Sequence, residues 1–309
     1  MLAQFFVMNC FLHAFTVAAL TPLFPAVAEE LQLTHTQIGL IWGSVPLGMI
    51  LFSFLGGSMA DRFGMKKVIT LAFPFVAFFA VARAFSYTPW QLAAVMFFLG
   101  VGLAFIVPNL TKGLGLWFSP GELGRSNGVL ILGVDVGTAL AMVLSASVLS
   151  PWLGGWREVM LFTGAVVLAL FPAWVFFARE QPQPVVASGE RQLRPEFREI
   201  LPRLLQVRDF WFMCLMEFAV IGSFLAWVGL FPKLLVSRGL DPAAAGFYSA
   251  VGLWSVAIFN VIGPYISDRV GWRKLFLGPF LIINGLALSG QGFFSGAALV
   301  FFLVLGGIG

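Results

Sequence analysis

Residues 57–67 read Gly57-Ser58-Met59-Ala60-Asp61-Arg62-Phe63-Gly64-Met65-Lys66-Lys67, and residues 267–274 read Ser267-Asp268-Arg269-Val270-Gly271-Trp272-Arg273-Lys274. The second stretch repeats the Asp-Arg pair, the glycine and the closing lysine of the first at numbers 207 higher. The correspondence extends outward without a gap through Phe5/Phe212, Phe11/Phe218, Leu23-Phe24-Pro25/Leu230-Phe231-Pro232, Gly39/Gly246 and Gly56/Gly263. Residues 1–85 and 208–292 are therefore one kind of segment written twice. Such repetition fixes architecture more firmly than local propensity, and a parallel repeat in a very apolar chain points to a membrane protein made of two similar halves.

Composition agrees. The chain is 60% hydrophobic and 10% charged, with a mean hydropathy of +0.95, whereas a soluble domain is about a quarter charged. Apolar runs fall at roughly 5–26, 38–59, 68–87, 90–111, 127–150, 158–178, 210–231, 243–266 and 275–292, with a tenth opening near 297. Each is near the ~20 residues that cross a bilayer as a helix. Backbone groups cannot stay unpaired in hydrocarbon, so the runs are read as helices despite their Phe and Val content, giving an all-α polytopic membrane fold. Cys10 and Cys214 lie in apolar stretches without Cys/His ligand spacing, which argues against a disulfide framework or a zinc site. The net charge of +4 comes from short loops and does not signal nucleic acid. No nucleophile–base pair or phosphate loop stands at motif spacing, so neither an enzyme nor a bound cofactor is expected.

Lysine and arginine placement sets the orientation. With a cytoplasmic amino terminus, inside loops hold thirteen of the 18 basic residues, outer loops and helix ends hold Arg83, Arg157, Lys233 and Arg238, and Lys112 stays within a span. That excess places the amino terminus inside a cell membrane. The first run matches the seventh and lacks a basic flank, so it reads as a helix and not a signal peptide. The long connection, residues 179–209, begins as a Gln/Pro linker. It continues with Phe197, Ile200, Leu201, Leu204 and Leu205 on one face and Arg194, Arg198, Arg203 and Arg208 around the rest, the pattern of a short interfacial helix. Three units result: a six-helix bundle over 1–178, the linker over 179–209 and a second bundle over 210–309. By the repeat the second bundle is expected to be incomplete, because span 6 ends near Ala178 and its counterpart would end near residue 385.

The stretch Gly57–Lys67 resembles the G-x-x-x-D-R-x-G-x-K/R-K/R loop of the major facilitator superfamily, and Ser267–Lys274 is its weaker echo. The resemblance runs through the whole chain and implies a secondary transporter of two rocking bundles. It also implies a cytoplasmic charge latch that holds the outward-facing state, built from Gly57, Asp61, Arg62, Gly64, Lys66 and Lys67, with Asp268, Arg269, Arg273 and Lys274 as the second copy. Gly57 and Gly64 suit the close approach and turn of such a latch, while Pro264, aligned with Gly57, weakens the copy. By the same resemblance spans 1, 4, 7 and 10 line the central cavity, which makes His13, Lys112 and Glu217 wall residues. Asn109 and Asn260 are further polar candidates for substrate.

Ionisable side chains inside spans are costly and are functional candidates by default. Spans 4 and 5 are antiparallel neighbours; Asp135 lies roughly 15 Å along its helix from their turn and Lys112 about 9 Å along its own, so the two can meet as a pair, the alternative being a lysine that snorkels to the cytoplasmic surface. Glu217 has no basic neighbour on its helix, and an isolated carboxyl in low dielectric favours its neutral form, which marks it as a proton carrier. Asp135 is the second such candidate. Gly133, Gly137, Ala141 and Ser145 form a small-residue stripe on span 5 that lets another helix approach, with Asp135 on the opposite side.

Span 5 keeps Gly133 and Gly137 but has Thr138 and Ala141-Met142 where antiporters of the superfamily show proline and paired glycines. Span 4 has Met96 where proton-linked members place an arginine four residues before a glycine. Both departures argue against drug efflux. The loops Trp117–Gly128 and Gly154-Gly155-Trp156-Arg157 resemble those of anion and organic-acid uptake branches. The reading is proton-coupled uptake of a small organic or inorganic anion by a monomer in the bilayer, with Lys112 and His13 facing the anion and Glu217 or Asp135 handling the proton. Export of hydrophobic compounds and a non-transporting fragment are the alternatives.

Overall fold

The computed structural model describes residues 7–119, 122–178, 202–203, 205–270 and 273–308. In chain order the helices are α1 (Cys10–Glu30), α2 (His35–Phe63), α3 (Met65–Phe85), α4 (Pro89–Trp117), α5 (Ser126–Leu153), α6 (Trp156–Phe177), α7 (Arg208–Ser237), α8 (Pro242–Val270), α9 (Arg273–Phe293) and α10 (Gly296–Ile308). Among the described residues there is no strand, and eight helices are long and apolar enough to cross a membrane. The repeat is visible in three dimensions: α2 and α8 are both 29 residues long, and both their ends stand at the sequence offset. Most of the expected interfacial helix lies outside the described residues.

Local chemistry sets where helices begin and break. Thr34 and Gln37 form a reciprocal capping box that starts α2, and Thr88 and Gln91 do the same for α4. α4 is interrupted at Phe105-Ile106, where the bonds tighten to Gly102 and Leu103 before Pro108 opens the second segment. A π-helix over Met8–Phe15 leads into α1, which tightens to a 3-10 turn at Thr21–Leu23, where Pro22 sits.

Glycines decide the closest helix contacts. A Cβ at Gly48 would collide with the Phe97 carbonyl, one at Gly100 with Val45, and one at Gly56 with Ala104, so α2 and α4 meet backbone to backbone. Gly57, expected to be the point of approach, has nothing within 4 Å of its would-be Cβ. One residue is about 100° of helix rotation, which turns Gly57 away from α4 and Gly56 toward it. Gly64 does turn the chain between α2 and α3, with φ 94°. On α5, Gly137 lies against the Cys10 carbonyl and Ala14 of α1.

Arg83, counted above among the outer charges, is fully buried at the end of α3. Its guanidinium donates to the carbonyls of Ala80 (3.1 Å) and Thr16 (2.7 Å) and to Thr163 Oγ1 (2.9 Å), tying α1, α3 and α6 together. Beside it Arg157 of α6 grips Glu30 through two nitrogens (3.0 and 2.8 Å), and Trp156 Nε1 donates to the same carboxylate at 2.6 Å. The first half is thus pinned at the end bearing the α1–α2 turn. The halves also touch at that end. Trp42 Nε1 of α2 donates to the Leu225 carbonyl of α7 (2.8 Å), Gly229 lies against the Trp42 ring, and Gly246 of α8 abuts the Met142 carbonyl of α5. Lys233 Nζ and His35 Nδ1 stand 3.0 Å apart across the same seam.

Candidate functional site

Below that seam α5 faces α7, α8, α9 and α10 across a cavity of about 430 Å³. Asp135 comes to its wall because it lies on the side of α5 away from the α1 contact at Gly137. The carboxylate is 3% exposed and accepts a hydrogen bond from Asn260 Nδ2 of α8 at 2.8 Å, one group from each half. The rest of the wall includes the aromatic rings of Phe224, Trp227 and Phe259 and the amides of Asn284 and Gln291. Gln291 is held by Trp227 Nε1, which donates to its Oε1 at 2.6 Å, and by its own Nε2, which donates to the Phe302 carbonyl at 3.0 Å. Among the described residues that line the cavity there is no lysine, arginine or histidine.

The other candidates lie elsewhere. Lys112 does not pair with Asp135; its Nζ donates to Asp61 Oδ1 at the end of α2. Both members are partly exposed, because a flexible stem near the helix end reaches the polar turn more cheaply than it crosses apolar bundle. Asn109 is fully buried and donates to the Gly56 (3.2 Å) and Phe105 (2.8 Å) carbonyls, so it joins α2 to the break in α4 and does not face the cavity. His13 lies in the π-helical part of α1 and does not line the cavity. Glu217 is exposed on α7, where only 17% of the most apolar stretch is buried against 78% for α1. It is therefore not the enclosed carboxyl expected of it.

Of the latch residues, Asp61 pairs within its own half, and Arg62 sits over the Phe63 ring at 5.3 Å. Lys66 and Lys67 occupy the first turn of α3. Asp268 and Arg269 fall at the end of α8, and Arg273 and Lys274 at the start of α9; their side chains lie outside what is described. Trp227 and Gln291 were missed by sequence reasoning, because a tryptophan and a glutamine in apolar runs give no signal without their contact across 64 residues. Among the described residues no group of three or more His, Cys, Asp or Glu could hold a metal.

The Major Facilitator Superfamily model matches residues 6–309. A probable sulfoacetate transporter of Cupriavidus necator is 26% identical over 280 residues, covering 86% of this chain and 64% of that protein. The 3-(3-hydroxy-phenyl)propionate transporter of Escherichia coli is 26% identical over 281 residues, covering 90% of this chain and 68% of that one. The chain thus spans 64% and 68% of the length of these relatives. The fold is shared with a bacterial homolog of the human lysosomal transporter Spinster in an inward-facing, unoccupied conformation, at TM-score 0.83 and 18% identity over 99% of this chain and 71% of that one. These relatives are transporters and not enzymes, and with its duplicated helical halves the chain belongs to the major facilitator superfamily.

Proposed function

We propose that the chain works as a secondary transporter by alternating access, taking up a small organic or inorganic anion together with protons. The observation that carries this reading is the Asp135–Asn260 contact, where a buried carboxylate of the first half meets an amide of the second on a cavity wall. An anion in that cavity is held by amide donors and repelled by ionised Asp135. At roughly 6 Å and an effective dielectric of about 20 the repulsion is about 3 kcal/mol, or roughly a hundredfold in affinity. Protonation of Asp135 removes the repulsion and the charge on its bond to Asn260, so proton and anion favour each other's binding. The names of the two relatives, both of organic acids, support the substrate class. Asp135 takes the proton role expected of Glu217, and the amides of Asn260, Asn284 and Gln291 take the substrate role expected of Lys112 and His13.

In this reading residues 1–178 and 210–309 are the bundles, 179–209 is a cytoplasmic linker, and the protein is a monomer in the cell membrane with its amino terminus inside. The Gly57–Lys67 loop and its echo at Asp268–Lys274 form the latch, and Asp61, held by Lys112 here, engages the second half in the opposite conformation. The test is binding of a panel of carboxylates and sulfonates to the purified protein as a function of pH. Affinity in the wild type should fall as pH rises, and Asp135→Asn should bind with little pH dependence. An anion bound equally well across pH by both proteins would sink the coupling. The aromatic rings of the wall favour a second reading, export of hydrophobic compounds; a cationic dye bound more tightly at high pH and lost in Asp135→Asn would support it instead.

A further inference from the structure

A second hollow, about 260 Å³, opens on the outside of the first half between α2, α3 and α4. Its lining is wholly apolar: Met59 from α2, Val68, Leu71, Ala72 and Phe75 from α3, and Val101, Gly102 and Phe105 from α4. α4 breaks at Phe105-Ile106 beside this lining, and Val76 and Phe75 of α3 approach Gly102 so closely that a Cβ there would meet them at 2.6 and 2.9 Å. Leu71 is 72% exposed and Phe78, two turns on, is 66% exposed, so this flank of α3 faces acyl chains in a membrane.

Lys67, Leu71 and Phe75 follow one another at i, i+4 and i+8, one stripe of the helix. The lysine stands one turn beyond the hollow, at the end of α3 where the bilayer meets water. It is exposed and belongs to the first turn of an 18-residue helix, whose positive dipole end adds to its charge. Arg62 is exposed on the adjoining turn. An apolar slot that continues into a cationic helix start matches an acyl chain that continues into a phosphate. Basic pockets between helices on the cytoplasmic side of a membrane bind anionic head groups on these terms.

We infer that the α2–α3–α4 hollow with Lys67 is a binding site for an anionic phospholipid, one acyl chain in the slot and the phosphate at Lys67 and the start of α3. The site is separate from the transport cavity and does not depend on what the cavity carries. It puts a lipid beside the Gly57–Lys67 loop, where the occupant's head group also neutralises part of that loop's positive charge.

Native mass spectrometry of the detergent-solubilised chain, titrated with an equal mixture of phosphatidylglycerol and phosphatidylcholine, tests the inference. The wild type should retain phosphatidylglycerol in preference, and Lys67→Gln should lower that preference about fivefold, the equivalent of roughly 1 kcal/mol for one basic residue at an anionic surface. Lys67→Arg should keep the preference, and Leu71→Trp, which covers the slot from an exposed position, should lower retention of both lipids. Equal retention of the two lipids by the wild type, or an unchanged ratio in Lys67→Gln, would overturn the site. Displacement of the lipid by millimolar inorganic phosphate would also overturn it, since the slot would then contribute nothing.

Discussion

Asn260→Ala removes the donor that links α8 to Asp135 and so deletes the interhelical hydrogen bond to the carboxylate. A hydrogen bond to a charged group contributes about 1.5–3 kcal/mol in soluble proteins. Interhelical bonds in a membrane average only about 0.6 kcal/mol, because the alternative states also find partners. Asn260 is half-buried, so the lower half of this range applies, about 0.6–2 kcal/mol. If the contact is made only in the present conformation, its loss shifts the equilibrium away from that conformation by roughly 3- to 30-fold. Two reporters read the shift after Cys10 and Cys214 are replaced by serine. Ile131→Cys lies on the cavity wall, and Ala250→Cys is 2% exposed near the seam between the halves. The ratio of their rates with a small thiol reagent should move by that factor in Asn260→Ala, and in the same direction in Asp135→Ala. The double variant should show no further change, since both remove one bond. A ratio that moves in neither variant would show that the bond is made equally in both conformations, and the coupling assigned to it would fail.

Three other outcomes follow from the contacts. Gly100→Ala forces a methyl into the Val45 backbone and should cost about 1–3 kcal/mol in thermal unfolding, whereas Gly57→Ala, with open space around it, should be neutral or stabilising by up to about 1 kcal/mol; equal effects would refute the α2–α4 register. Lys112→Met should change stability by less than about 1 kcal/mol, because the pair with Asp61 is partly solvated, yet should raise the population of the opposite conformation by removing the ion pair that holds the latch carboxylate within its own half. Unchanged reporter labelling in a well-expressed Lys112→Met protein would count against the latch. For orientation, cysteines replacing Gln183 and Asp268 should be shielded from an impermeant thiol reagent in intact cells while one at Ser237 reacts; labelling at Gln183 would reverse the assignment.

What was legible in the sequence is what periodic hydrophobicity and repetition record. The helices fall within a few residues of the apolar runs, and the offset between Asp61 and Asp268 survives as the equal lengths of α2 and α8. Asp135 was legible as costly, and its side of α5 was readable from the stripe through Gly137. Its partner was not, because depth along two neighbouring helices cannot say which way a lysine stem bends, and Lys112 bends toward Asp61. Arg83 shows the same limit from the other side. A count of charges places it in an outer turn, but its burial depends on Thr16 and Thr163, which are 67 and 80 residues away and individually unremarkable. Gly56 and Gly57 differ only by one step of rotation, which the motif's spelling does not encode.

The seam at Trp42 has a practical corollary. Its indole is 7% exposed and hydrogen-bonded to the Leu225 carbonyl, whereas Trp90, Trp152 and Trp211 are more than half exposed. Parting the halves at that end breaks the bond and wets the ring, while the exposed tryptophans keep their surroundings. The protein therefore contains an intrinsic chromophore at the place where its two halves separate. In a background with the other tryptophans replaced by phenylalanine, the emission wavelength of Trp42 would follow each opening in real time without any attached dye.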